Sequence, residues 1–177
     1  NVEEEVKCDF AQNLESEVIL LPMNSSFIQI CSMLGSIKLG CSIIIHGGDY
    51  CFNSVAPHFI KNSKQLACIT PSLLYAILTQ TNADDIAKYF SQNTVFVIGG
   101  EACGIEKINF FKEKTDAKLV IGYGLTEASA LVSCMNMEDI KSHQKSVGQY
   151  NSNFEVRILQ NKCGFNCVNN IGEILVK

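Results

Sequence analysis

Residues 121–129, Ile-Gly-Tyr-Gly-Leu-Thr-Glu-Ala-Ser, concentrate the side chains best suited to chemistry. Gly122 and Gly124 flank Tyr123, and Thr126 and Glu127 follow almost at once. Glycine lets a backbone turn sharply or approach a ligand closely. The tyrosine ring offers a flat face for a base. A threonine hydroxyl can bond a phosphate oxygen, and a glutamate is the hard oxygen ligand that Mg2+ takes. Together these abilities describe a magnesium–nucleotide site. The same letters also fit a strand, a glycine turn and a second strand, and composition alone does not choose between the two.

The elements that must position these residues are legible around them. Lys118 to Ile121 is a short apolar run, read as a buried strand. Upstream, Thr94 to Ile98 is a second such run, ending in Gly99-Gly100-Glu101. Gly104 to Lys114 lies between, with Ile105, Ile108 and Phe111 at helical spacing. Further strands are expected at Glu17 to Pro22, Cys41 to His46 and Gln65 to Ile69. Ser26 to Leu39 predicts an amphipathic helix whose apolar side is Phe27, Ile30, Cys31, Leu34 and Ile37, capped by Ser25 or Ser26 and ended by Gly40. Phe52 to Asn62 reads as a helix weakened by Pro57. Thr70-Pro71 starts another, with a hydroxyl cap and proline in the first turn, and Asp84 to Ser91 forms one more. Strands alternating with helices predict an α/β fold, a mostly parallel sheet with helices on its faces. Ligands in such sheets bind beyond the carboxyl ends of the strands, where both glycine-rich stretches fall. After about Ser142 the texture changes: Phe154 to Leu159 alternates, and Gly172 to Lys177 is β-like after the loop Asn161 to Asn170. That predicts the start of a small antiparallel, barrel-like β subdomain.

Gly99-Gly100-Glu101 and Tyr123-Gly124-Leu125-Thr126-Glu127, about twenty residues apart with a helix between, resemble the adenylate-forming (AMP-binding) superfamily. Ser146-Val147-Gly148, Phe154 to Ile158 and Gly172 to Val176 match the same pattern, so the resemblance runs from about Glu17 to the last residue. It implies that residues 1–141 are the α/β part of the AMP-binding domain and 142–177 a β-rich subdomain segment. It also implies activation of a small-molecule carboxylic acid by ATP and Mg2+, then transfer to a thiol of coenzyme A or of a carrier-protein phosphopantetheine. On these positions Tyr123 stacks on adenine, Thr126 bonds the α-phosphate and Glu127 holds the metal. Gly99, Gly100 and Glu101 form a wall beside adenine and ribose, and Gly122, Gly124 and Leu125 complete the nucleotide and acyl floor.

Some positions depart from the pattern. Where peptide-synthetase adenylation domains carry asparagine two residues before the tyrosine, this chain has Ile121. Where they carry aspartate for an α-amino group, Phe27 is followed by Ile28, which disfavours an amino-acid substrate. Ser25 stands about where acyl-CoA synthetases have a histidine. A phosphate loop, a ribose-binding Asp and a catalytic lysine are expected outside this stretch, so the chain, which begins with Asn1, is expected to be an inactive piece of a longer enzyme. Three readings stay open: an acyl-CoA synthetase-like ligase, an amino-acid or aryl adenylation domain of an assembly line, and a nucleotide-binding module without chemistry.

Composition sets the outer limits. The chain has 177 residues, 47% of them hydrophobic, which suffices for a sizeable core. A net charge of -4 and a lone arginine, Arg157, argue against nucleic acid. Nine cysteines, an odd number mostly within apolar runs, suggest reduced thiols and a cytoplasmic protein. Cys163 and Cys167 lack zinc spacing, and His46, His58 and His143 read as solvated or satisfied. No apolar stretch is long enough to span a bilayer as a helix. An exposed sheet edge is expected to favour self-association at high concentration.

Overall fold

The computed structural model describes residues 16–20, 27–49, 51–59, 63–136, 139, 146–159 and 172–177. Expectations for the acidic segment at 1–15, for the Ser25 or Ser26 cap, and for His143, Cys163, Cys167 and the loop at 161–170 lie outside these residues. Strand β1 (Ser16–Leu20) is followed by helix α1 (Phe27–Leu39) and β2 (Ser42–Ile45). A short helix α2 (Phe52–Val55) tightens into a 3-10 turn at Ala56–His58, where Pro57 cuts the expected longer helix short. Then come β3 (Lys64–Ile69), α3 (Pro71–Thr79), α4 (Ala83–Tyr89), β4 (Thr94–Ile98), α5 (Ile105–Lys114) and β5 (Lys118–Leu125). The main sheet is completed by β6 (Ala130–Asn136) and β7 (Gln149–Tyr150).

Seven strands pair in the order β2-β1-β3-β4-β5-β6-β7, parallel as far as β5 and antiparallel from β5 to β7. A separate antiparallel pair, β8 (Val156–Leu159) with β9 (Glu173–Val176), forms the small second sheet. The α/β architecture expected from the alternation is therefore present, with its antiparallel addition. The expected division at 141/142 falls between β6 and β7, which are hydrogen-bonded to each other.

Side chains alternate along each strand, so the two sheet faces can be followed separately. Ala67, Ile69, Phe96, Ile98, Leu119 and Ile121 form one cluster with Leu74, Ile77 and Leu78 of α3, Ile86 of α4 and Ile108 and Phe111 of α5. Phe59, Phe90 and Phe96 meet edge-on or tilted within it, at centroid distances of 4.8–5.6 Å, a geometry that aromatic quadrupoles favour. Polar groups inside are paired: Gln65 donates to the His58 carbonyl, and Thr115 to that of Phe90.

Helix α1 covers the opposite face, and here the sequence expectation is corrected. The inward side of α1 is Cys31, Gly35 and Ser36, while Ile30, Leu34 and Ile37 are 47%, 52% and 61% exposed. Small residues let the helix sit close on the sheet, with Ser32 Oγ 3.4 Å from Cys68 Sγ. Of the expected apolar side, Cys31 faces the sheet, while Ile30, Leu34 and Ile37 face outward.

Candidate nucleotide site

The sheet register brings the two glycine-rich stretches together. Ile98 is paired with Ile121, so Gly99, leaving the carboxyl end of β4, lies beside Gly122, inside β5 and three residues short of its end. A Cβ on Gly99 would stand 2.7 Å from the Gly122 carbonyl oxygen, so no side chain fits there. A Cβ on Gly122 would meet a Leu131 methyl at 2.8 Å. Gly99 is thus required by the approach of strand to strand, whereas at Gly122 the obstacle is the movable end of a leucine side chain. Gly100, at φ +82°, supplies the turn out of β4.

Glu101 is tied into the scaffold. Its carboxylate accepts the backbone N–H of Ser72, in the first turn of α3. The next N–H, of Leu73, is accepted by Thr70 Oγ1 at 3.3 Å, so two open donors of the helix start are satisfied. Lys107 Nζ on α5 donates to Ser72 Oγ at 3.0 Å, joining α5 to the same knot. Hydrogen bonds from the Ser72 side chain and backbone hold the Glu101 carboxyl below its ordinary range, helped by the Lys107 charge. Glu101 therefore braces the β4–α5 loop against α3. Burial pushes the neighbouring Cys103 thiol up, so it stays protonated at neutral pH.

Strand β5 runs straight through Gly122 and Gly124, neither of which takes a positive φ, so the expected sharp turn at the glycines is not there. Leu119, Ile121, Tyr123 and Leu125 share one face by alternation, and their exposure rises from 1% at Leu119 to 9% at Ile121 and 37% at Leu125. Tyr123 sits half-buried where that face leaves the core. The turn comes later, as a 3-10 turn at Thr126–Ala128 closed by Ser129 in the left-handed conformation, φ 58° and ψ 45°. Thr126 and Glu127 are exposed on that turn. The register shifts between Tyr123 and Gly124: Tyr123 faces Ser133 but Gly124 faces Leu131, leaving Val132 as an extra residue in β6. Strand, turn and second strand are all present, and Tyr123, Thr126 and Glu127 ride on them.

The model of the AMP-binding enzyme family matches residues 3–177. The chain belongs to that family. Searching curated proteins gave no match. Among solved structures, O-succinylbenzoate coenzyme A synthetase from Bacillus subtilis, in complex with ATP and magnesium ion, superposes with a TM-score of 0.70 at 18% identity, over 94% of this chain and 33% of that one. The N-terminal domain of FACL13 from Mycobacterium tuberculosis gives 0.71 at 16% identity, over 94% and 41%. E. coli MenE, with a bound analogue of OSB-AMS, gives 0.65 at 16%, over 90% and 32%. At such identities the likeness establishes the fold. The chain spans about a third of the length of the synthetase structures it matches.

Other parts of the AMP-binding fold resolve earlier expectations. His46, 5% exposed just after β2, has Nδ1 3.0 Å from His58 Nε2 and Nε2 3.1 Å from the Asp49 carbonyl, so both nitrogens of its ring are satisfied, one by the second histidine and one by backbone. None of the six described cysteines is in a disulfide; Cys31 and Cys68 are buried and the other four half-buried. Among the described residues no group of three or more metal-binding side chains occurs. No described helix is long and apolar enough to cross a membrane.

Proposed function

We propose that this chain carries the nucleotide-facing part of an ATP-dependent, carboxylate-activating ligase. The observation that carries the reading is the juxtaposition of Gly99–Glu101 with Tyr123–Glu127 at adjacent carboxyl ends, in a chain of the AMP-binding family. The reaction has two steps. A carboxylate oxygen attacks the α-phosphorus of ATP, the bond to pyrophosphate breaks, and an acyl-adenylate forms. A thiol then attacks the acyl carbon and AMP leaves. Coenzyme A is the acceptor we favour, with a carrier-protein phosphopantetheine as the other thiol of the same chemistry. The solved Bacillus synthetase with ATP and magnesium supports the choice of nucleotide and metal. Six described cysteines outside any disulfide accord with a cytoplasmic enzyme.

In this reading Tyr123 presents its ring to adenine from the rim of the core, and Thr126 Oγ1 donates to the α-phosphate. Gly99 and Gly100 leave the wall beside adenine and ribose without side chains, while Gly122, Gly124 and Leu125 line the floor. Glu101 acts on this wall by holding its loop to α3. Glu127 fits a Mg2+ ligand: it is an exposed carboxylate with no partner among the described residues, next to a hydroxyl on the same turn. Bound there, Mg2+ would offset the negative charge that gathers on the phosphates.

The test is Glu127→Gln in the intact enzyme. The amide keeps the shape and removes the charge, so carboxylate-dependent pyrophosphate exchange should fall by at least about a hundred-fold, the loss typical of one electrostatic group at a reacting centre. Thermal stability should hold, because the side chain is exposed. Exchange at the wild-type rate would remove Glu127 from the site, and screening a panel of carboxylic acids in the same assay would identify the substrate.

A further inference from the structure

Ser129 is the one described non-glycine residue with a positive φ. Its N–H donates to the Thr126 carbonyl at 3.2 Å, closing the turn that presents Thr126 and Glu127. Its own carbonyl is met from the other side of the chain's length: Cys31 Sγ of α1 lies 3.9 Å away, across 98 residues of sequence. Cys31 is 5% exposed, on the inward side of α1. At the base of the same hairpin tip, the extra residue Val132 is 2% exposed, and its carbonyl accepts the Asn151 N–H at 2.8 Å. The tip is therefore fixed at three points: a left-handed corner, a seat on α1 and an anchored bulge. Such devices re-aim side chains, and strained backbone persists where the surroundings impose it.

We propose that Ser129 and Cys31 are positioning residues, which set where Thr126 and Glu127 stand relative to Tyr123. The inference rests on the proposed roles of those three residues and goes beyond them, because neither Ser129 nor Cys31 touches the nucleotide in it. The left-handed corner fixes the direction in which the turn projects. The contact with α1 fixes its height above the sheet. A shift of the turn would move the carboxylate and the hydroxyl together while leaving the tyrosine in place. Small misplacements of such groups are costly to rate.

The experiment uses the intact enzyme and measures pyrophosphate exchange against Mg2+ and MgATP concentration, with thermal midpoints recorded for every variant. Ser129→Val places a β-branched side chain where the left-handed conformation is hardest to hold. It should raise the Mg2+ concentration for half-maximal exchange by about ten-fold or more. Ser129→Gly keeps the conformation available and should stay within about three-fold of wild type. Cys31→Ala removes the seat and should shift the Mg2+ requirement in the same direction as Ser129→Val, by a few-fold. A purely structural role would lower thermal midpoints and leave the Mg2+ requirement of the folded enzyme unchanged, and that result would overturn the proposal. Should Ser129→Val fail to fold, Cys31→Ala decides alone, and an unmoved Mg2+ requirement there overturns it too. Glu127→Gln is run alongside: if it exchanges like wild type, the reading of the site itself falls. If it is inactive while Ser129→Val and Cys31→Ala behave as wild type, only the positioning role falls.

Discussion

Tyr123 separates two demands that one residue can meet, packing and recognition. It shares a face with Leu119 and Ile121 but lies where burial gives way to exposure. Stacking a base on an aromatic ring contributes roughly 1–3 kcal/mol, so Tyr123→Ala should raise the KM for ATP by about ten- to a hundred-fold. The acid's KM should move much less, since in the proposed site the ring faces the base. An unchanged ATP KM with a large drop in melting temperature would make Tyr123 a core residue only. Glu101 makes a different prediction, in acid. Its carboxyl is held below the ordinary range by Ser72, so the charged form is the one the fold prefers. The stability it contributes is complete above the ordinary glutamate value and is lost as pH falls through the lowered one. Glu101→Gln should cost about 1 kcal/mol or less at neutral pH, water screening its open side. Unfolding curves of the two proteins should converge at low pH, and a gap that stays constant with pH would count against the brace. The residue types of the site were legible because glycine, tyrosine, threonine and glutamate each limit what a stretch can do. Their surroundings were not. Nothing local tells that Glu101 will reach Ser72, 29 residues back, or that Gly99 is demanded by the carbonyl of Gly122.

At the scale of elements, α1 carries the sharpest contrast between pattern and burial. Ile30, Leu34 and Ile37 repeat at helical spacing, yet the sheet receives Cys31, Gly35 and Ser36. Leu34→Ala should therefore cost about 0.5 kcal/mol or less, the range of exposed substitutions. Leu78→Ala, in α3 with no exposed surface, should cost about 2–5 kcal/mol. Chemical denaturation of the two variants checks this, and equal losses would contradict the orientation of α1. Periodicity finds a helix and its apolar side; which side meets the sheet depends on how closely the backbones pack, and small residues decided that here. The parallel strands were legible for the opposite reason. Runs such as Thr94 to Ile98 are buried on both faces and bounded by glycine, asparagine or proline, so pattern and burial agree. Strand β6 was legible only as the second strand after a glycine turn, without bounds, because it follows the turn at Ser129 directly and ends in Ser133, Cys134, Met135 and Asn136, with no punctuation of its own.

For the molecule as a whole, the sheet changes sense at β5, whose one neighbour is parallel and whose other is antiparallel. That gives the site a history in time. A parallel pair must wait for an intervening helix and the closure of a long loop, whereas a hairpin closes locally within about 1–10 μs. The hairpin Lys118 to Asn136, with its turn at Thr126–Ala128, can therefore form before β5 finds β4. The contact between Cys31 and Ser129, bridging 98 residues, belongs to the opposite extreme. During refolding, pulse-labelled amides of β5 that pair with β6 should gain protection no later than those of β3 that pair with β4, and the reverse order would exclude an early hairpin. A newly made chain would then hold Thr126 and Glu127 on a finished turn while the helix that seats the turn is still undocked. The last long-range contact to close, rather than the motif itself, would mark the moment at which the protein becomes able to bind.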